Sequence, residues 1–478
     1  MFNLTPLSLN HCRWCQRVCQ SLVLLFALST CSRIALSASN IPDVTPHQLH
    51  AQYWQAKLVS DEVMSMNNSQ VKAFNQHLFA NNQHMVHPLE TPTSLDKNLL
   101  SKKIASISSV PSSARFYANG SQLNKSHFQQ YLNNTNTQAI KDSNPVQFGL
   151  VVKRAALRTF PTLDRVFNKY MDLDLDRFQE TAVFPGEAVA ILHQSADKAW
   201  YLVQNYNYLA WVKQDAIAIG DKQQIQTFVD DQNFLLITGA KVFTSYVPSE
   251  SRISQVQLDM GVKLPLLSAD KQHPELYGQS TMASYEVQLP VRNDDGSLSI
   301  QTALIGRTQD VHLGYIDYTP QNLIAQAFKF LGERYGWGHD YNGRDCTGFV
   351  GEIYKTFGIF MPRNSGQQGK GEYGTNFRFG NTSDVTRKLA VIEQLQVGDL
   401  IYIPGHVMIY LGKENGQPFV IHDVKGLAYW TPEGEYYSGV LNAVSVTPLI
   451  KLHLNKQTTY LDKIYNIKRI TLNNTLGK

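Results

Sequence analysis

Cys346 stands where glycine-rich, aromatic sequence gives way to an amphipathic helix. Residues 334–344 (RYGWGHDYNGR) read as loop. From Asp345-Cys346-Thr347-Gly348 onward, Phe349, Val350, Ile353, Tyr354 and Phe357 recur at helical spacing, and Gly358 ends the pattern. A cysteine there faces the positive end of the helix dipole, which lowers the thiol pKa and favours a thiolate. Such a nucleophile needs a base, and the base needs an orienting group. Two histidines downstream offer both. His406 opens the apolar run Gly405-His406-Val407-Met408-Ile409-Tyr410-Leu411, and His422 lies in Phe419-Val420-Ile421-His422-Asp423. The chemistry is acyl transfer: Cys346 attacks a carbonyl, His406 takes its proton and returns it to the leaving amine, and His422 fixes the His406 tautomer. The Cys346 backbone amide can donate to the oxyanion, and the Tyr335 hydroxyl can reach the same site.

This constellation holds only if two strands present both histidines on one face. Asn415-Gly416 marks the turn between them. A five-residue loop, 412–416, pairs His406 with His422 directly. A three-residue loop, 414–416, sets them two positions apart on one face. A two-residue turn sends them to opposite faces unless a bulge intervenes.

The cysteine inventory isolates Cys346. The chain of 478 residues has five cysteines: Cys12, Cys15, Cys19, Cys31 and Cys346. The first three fall in an N-terminal stretch that reads as an export signal, with Arg13 and Arg17 ahead of the short apolar run Ser21–Ser29. Leu28-Ser29-Thr30-Cys31 resembles a lipoprotein signal, which would tether the chain through Cys31. Cleavage near Ser37–Ser39, giving a soluble exported protein, is the other outcome. Either way Cys346 has no internal disulfide partner. The formal net charge of +4 falls to +1 without residues 1–37, so no electrostatic case for nucleic acid exists.

Length and texture predict several domains. Residues 40–145 are polar, with helical patches near Thr45–Leu58, Val71–Phe79 and Gln122–Leu132, and read as a poorly packed segment that wraps on something else. His47/His50 and His84/His87 read as surface residues rather than metal ligands. Residues 146–220 carry short β-like runs separated by turns, and 221–318 continue them with a hairpin of Tyr285–Arg292 and Leu298–Ile305 about Asp294-Asp295-Gly296. These read as two successive small barrels. Residues 319–478 start with an amphipathic helix over Asn322–Leu331 and add a polar loop at Gly366–Asn381 and four strands, an α+β arrangement.

Tyr335-Gly336-Trp337-Gly338, Asp345-Cys346-Thr347-Gly348-Phe349 and the His406 run resemble the NlpC-type cell-wall peptidases, a papain-like cysteine peptidase family. The resemblance covers about 320–450. Val151–Phe160 and Glu180–Trp211 resemble the bacterial SH3-like domains of one subgroup, which has a helical N-terminal clip and two such domains before the peptidase. The resemblance implies a cysteine peptidase, with no cofactor, that cleaves the γ-D-glutamyl–diamino acid bond of peptidoglycan stem peptides in the cell envelope or periplasm. It implies that Asp345, with Glu180 and Tyr208 of the first SH3-like domain, binds a free N-terminal ammonium, Glu187 being the competing acid. Thr347, where serine is commoner, and Trp337 join the substrate-binding set. Two other readings remain: a zinc hydrolase with Cys346, His406 and His422 as ligands and Asp423 or Glu352 as acid, and a non-catalytic wall-binding protein.

Overall fold

The computed structural model describes residues 41–58, 66–380 and 385–472. The export signal and Cys31 lie outside the described residues.

The N-terminal segment is a strap rather than a loosely packed tail. Its helices are α1 (Ala51–Gln55), α2 (Asn68–Asn81), α3 (Lys97–Ile107) and α4 (Lys125–Asn134). α2 begins at an Asn67 cap and α3 at an Asp96 cap, each side chain accepting from a first-turn amide. α1 and α2 send Trp54, Phe74 and Leu78 into the core of the C-terminal domain. α3 sends Leu100 and Ile104 into the core of the β region. The sequence pattern missed α3, whose apolar stripe is interrupted by three lysines.

The first β domain is a seven-stranded antiparallel sheet made of β1 (Gln147–Val151), β2 (Ala155–Arg158), β3 (Gln179–Val183), β4 (Ala188–Gln194), β5 (Trp200–Gln204), β6 (Leu209–Lys213) and β7 (Ile217–Gly220). Their spatial order is β7-β1-β4-β5-β6-β2-β3. Val151, Leu157, Val189, Val203 and Ile217 fill its interior. The second region is less regular than the first. β8 (Phe234–Ile237), β9 (Gln257–Asp259), β10 (Lys263–Pro265), β11 (Ser284–Arg292), β12 (Leu298–Gly306) and β13 (Val311–Leu313) are divided among several small sheets. The expected hairpin is present, with Ser284 to Arg292 paired against Gly306 to Leu298. Its apolar face closes on the first domain: Leu235, Val287 and Ile305 share one core with Leu150 and Trp211.

The C-terminal domain packs α5 (Pro320–Phe328) and α6 (Cys346–Lys355) against an eight-stranded sheet. Its strands include β14 (Thr375–Arg378), β15 (Leu400–Ile403), β16 (His406–Glu414), β17 (Gln417–Trp430), β18 (Tyr436–Pro448) and β19 (Asn466–Arg469). β19 lies inside the sheet, between β14 and β15. The stretch expected as a loop at 366–381 contains the helix Ser365–Lys370 and β14, because Asn466 and Lys468 of β19 bond to its carbonyls.

Candidate active site

α6 starts at Cys346, with Asp345 as its cap. Asp345 Oδ1 accepts from the Gly348 amide and the Thr347 hydroxyl, both at 2.9 Å. Oδ2 accepts from the Gly338 amide at 3.0 Å and from Arg363 Nη2 at 2.7 Å. All four lone-pair positions of the carboxylate are thus used. Burial works against the charge, but Arg363 and His339 hold Asp345 well below the usual carboxylate range. Thr347, expected on the substrate side, is buried and spends its hydroxyl between Asp345 and Arg363. Gly348 is required by close approach: a Cβ there would lie 2.7 Å from His339 Nε2.

The expected depression of the Cys346 thiol is not found. Burial, reinforced by the Asp345 carboxylate, pushes it up to about 12, and the Val407 amide that donates to Sγ opposes this only in part. Burial is the largest of these effects, and it disfavours the charged form of the thiol. His406 is lowered to about 4, by burial and against the pull of Asp345. At neutral pH the resting pair is therefore thiol and imidazole.

The histidine register follows the bulged alternative. β16 and β17 join through a two-residue turn, with Glu414 opposite Gln417, and a bulge between Tyr410 and Gly412 adds one residue. Beyond it Ile409 faces Ile421, so continuing the register puts His406 and His422 on one face, two positions apart. His406 Nε2 and His422 Nδ1 are 2.8 Å apart. His422 Nε2 lies 2.9 Å from the Thr447 hydroxyl on β18. In the tautomer that leaves His406 Nδ1 basic, His406 Nε2–H donates to His422 and His422 Nε2–H donates to Thr447. Val407, next to His406, carries the amide bonded to the sulfur, so the start of β16 lies against the start of α6. Among the described residues, no three His, Cys, Asp or Glu are grouped to hold a metal ion.

Tyr335 is buried beside the thiol. Burial first and the nearby Cys346 second raise its phenol well above the ordinary value. The loop after it is strained: His339, Tyr341 and Asn342 have φ of 66°, 53° and 56°. The first β domain holds this loop in place. Gln179 Nε2 donates to the Gly338 carbonyl at 2.7 Å, and Arg154 Nη2 to those of His339 and Gly343 at 3.0 and 2.8 Å. Trp337 lies under the Arg177 guanidinium, 5.3 Å from its ring centre.

Glu180 and Tyr208 meet as a pair. The Tyr208 hydroxyl donates to Glu180, and Thr159 Oγ1 donates to the other oxygen at 2.5 Å. Arg363, whose charge acts on both Tyr208 and Asp345, links this pair to the nucleophile. Glu187 is instead bound by Lys355 at 2.9 Å. Arg363, His339 and Thr447 were not singled out from sequence. Arg363 follows Pro362 in an unpatterned loop, and Thr447 reads as an ordinary strand residue.

Residues 165–213 match an SH3 domain of the SH3b1 type, and residues 332–445 match the NlpC/P60 family. The chain is 29% identical over 261 residues to a γ-D-glutamyl-L-lysine dipeptidyl-peptidase of Bacillus cereus, spanning 49% of this chain and 66% of that relative. It is 35% identical over 115 residues to the probable endopeptidase p60 of Listeria welshimeri, spanning 22% of this chain and 18% of the relative. It thus covers less than two thirds of either. An NlpC/P60 endopeptidase from Photobacterium damselae subsp. piscicida superimposes with a TM-score of 0.68 at 17% identity, over 88% of this chain and 97% of that one, a likeness of fold. With the cysteine at its helix start and the paired histidines on the facing sheet, residues 332–445 form an NlpC/P60 papain-like domain, and the chain carries it behind an SH3 domain of the SH3b1 type.

Proposed function

We propose that the protein is a cysteine peptidase of the cell envelope that hydrolyses the γ-D-glutamyl–diamino acid bond of peptidoglycan stem peptides bearing a free N-terminal L-alanine. The observation that supports this reading is the His406–His422–Thr447 line on strands of which one bonds the Cys346 sulfur through the Val407 amide. The Bacillus relative, named for a γ-D-glutamyl-L-lysine bond, supports the substrate class.

In this mechanism Cys346 Sγ attacks the γ-carbonyl carbon while His406 Nδ1 takes the thiol proton. His422, anchored by Thr447, stabilises the imidazolium. The oxyanion accepts from the Cys346 amide and the Tyr335 hydroxyl. The C–N bond breaks as His406 protonates the leaving amine, leaving a thioester. His406 then deprotonates a water that attacks the thioester, releasing the carboxylate and restoring the thiol. Glu180 and Tyr208 hold the substrate ammonium, while Asp345, whose lone pairs are engaged and whose charge is paired with Arg363, orients that guanidinium rather than binding the ammonium itself. Trp337 flanks the peptide. Incubation of wild type and Cys346→Ala with defined muropeptides, read by mass spectrometry, tests the proposal. Intact peptides with the wild type, or equal cleavage by both, would refute it.

A further inference from the structure

One turn of the second β domain presses on the helix that carries the nucleophile. β9 ends at Asp259, and the chain passes through Met260 and Gly261 into a second sheet, with the Gly261 amide on the Ile237 carbonyl at 2.9 Å. Asp259 is fully buried and accepts from Arg344 Nη2 at 2.9 Å. Arg344, also fully buried, immediately precedes the helix cap Asp345. Met260 belongs to the same apolar core as Phe349, Val350 and Ile353 of α6. Gly261 has a φ of 82°, and a Cβ there would lie 2.8 Å from the Lys355 Cβ at the far end of α6. The turn therefore bears on both ends of the helix.

Its ionic member sits in a balanced buried group. Arg344 also donates to Glu333 and Glu352, each at 2.7 Å, and to the Ala240 carbonyl at 2.9 Å. Arg154 of the first β domain stands 3.4 Å from Asp259, and Lys241 of the second stands 3.1 Å from Glu333. Three cations thus face three carboxylates, contributed by all three domains. Buried ion pairs add little net stability against well-packed apolar residues, but removing one partner is costly and the geometry they impose is specific.

We propose that Asp259 is a positioning residue for catalysis: through Arg344 it fixes the first turn of α6, so that Cys346 Sγ stays registered on the Val407 amide and beside His406. The inference rests on the reading of Cys346 as nucleophile. An ångström of displacement at such a centre costs up to about a hundredfold in rate.

The test uses the full chain. Asp259→Asn is compared with wild type for kcat and KM on a free-amine L-Ala-γ-D-Glu-diamino acid peptide. Cys346 alkylation by iodoacetamide is followed across pH, and melting temperature is recorded. The expected result is a kcat lower by about tenfold to a hundredfold, a KM within about twofold of wild type, and a shifted alkylation profile. In an Arg344→Lys background the same substitution should cost nothing further. Should Asp259→Asn fail to fold, Asp259→Glu, which keeps the charge but displaces the guanidinium, carries the test with a smaller kcat loss in the same pattern. A folded variant with wild-type kcat and alkylation overturns the proposal, as does an equal loss in both Arg344 backgrounds. If the wild type cleaves no peptide, the peptidase reading fails while the alkylation profile still decides the positioning role.

Discussion

The Glu180–Tyr208 pair of the first β domain meets the C-terminal domain with an open side, whereas the Asp259–Gly261 turn of the second meets it with residues that are sealed. Glu180 and Tyr208 are part-buried and bonded to one another beside Arg363. Asp259 and Met260 are buried to 1% exposure or less and bonded or packed into the peptidase. A polar pair with solvent access can exchange partners for a ligand. A charge fully enclosed among fixed partners cannot, and serves geometry instead. On the proposed reading, selection falls to the Glu180–Tyr208 pair and alignment of α6 to the Asp259 turn, although both domains belong to one shared apolar core.

Loss of the group both domains serve sets the scale. Cys346→Ala should abolish peptide hydrolysis on any stem peptide while leaving the melting temperature within a few degrees of wild type. Turnover equal to wild type would remove the nucleophile from the mechanism.

Next in size is the selecting domain. Glu180→Gln should lower kcat/KM on a free-amine peptide by about tenfold to a hundredfold, the worth of a charge-assisted hydrogen bond of roughly 1.5–3 kcal/mol. The N-acetylated peptide should be a poor substrate for wild type and should change little. Glu187→Gln should keep the preference for the free amine and lower the melting temperature, because it strips Lys355 of its partner. A preference that survives Glu180→Gln and vanishes in Glu187→Gln would reverse the assignment.

Within the peptidase itself, Thr447→Val removes the acceptor that fixes the His422 tautomer. The kcat should fall about tenfold, and Thr447→Ser should restore most of it. Equal rates for the valine and serine variants would show that the hydroxyl does nothing for the base.

The pH dependence is a milder probe. His406 titrates at about 4, so the acid limb of kcat/KM should lie near pH 4 to 5 rather than at the ordinary histidine value. Burial also lowers His339 to about 4 and His422 well below its ordinary value. An imidazole depressed in the folded state binds its proton first in the unfolded chain. Stability should therefore be full above about pH 6.5 and fall as pH drops through about 4. An acid limb at the ordinary histidine value would sink the buried-imidazole account.

The smallest expected effect concerns Asp423, fully buried, with no hydrogen-bond partner at either oxygen among the described residues. Burial and the neighbouring Asp345 raise its pKa well above the usual carboxylate range. A carboxyl raised in the folded state costs stability as pH rises above its unfolded value. Asp423→Asn should thus stabilise by about 1 kcal/mol at neutral pH and change little in acid. Destabilisation at neutral pH would mean that the carboxyl has a partner in solution.

Much of the site was legible from residues close in sequence. The helix start at Cys346 followed from loop composition giving way to a helical apolar period, which are local properties. The turn at Asn415-Gly416 was equally readable, and so were the alternatives it allowed for His406 and His422. Which alternative holds depended on one extra residue near Leu411. A bulge is stabilised by what packs on the strand, not by the strand's own composition.

What only the tertiary structure decided are the interactions between residues far apart in the chain. Sequence order carries no sign that Arg363 closes on Asp345, that Thr447 ends the histidine line, or that Asp259 reaches Arg344 across 85 positions. The thiol differs from expectation for the same reason: the helix dipole is read from local pattern, whereas burial, the largest cause of the raised pKa, comes from the whole fold. Secondary structure and the identity of the reactive groups are set by short-range preferences. Their protonation and alignment are set by long-range packing, because desolvation and Coulomb terms depend on every domain that encloses them.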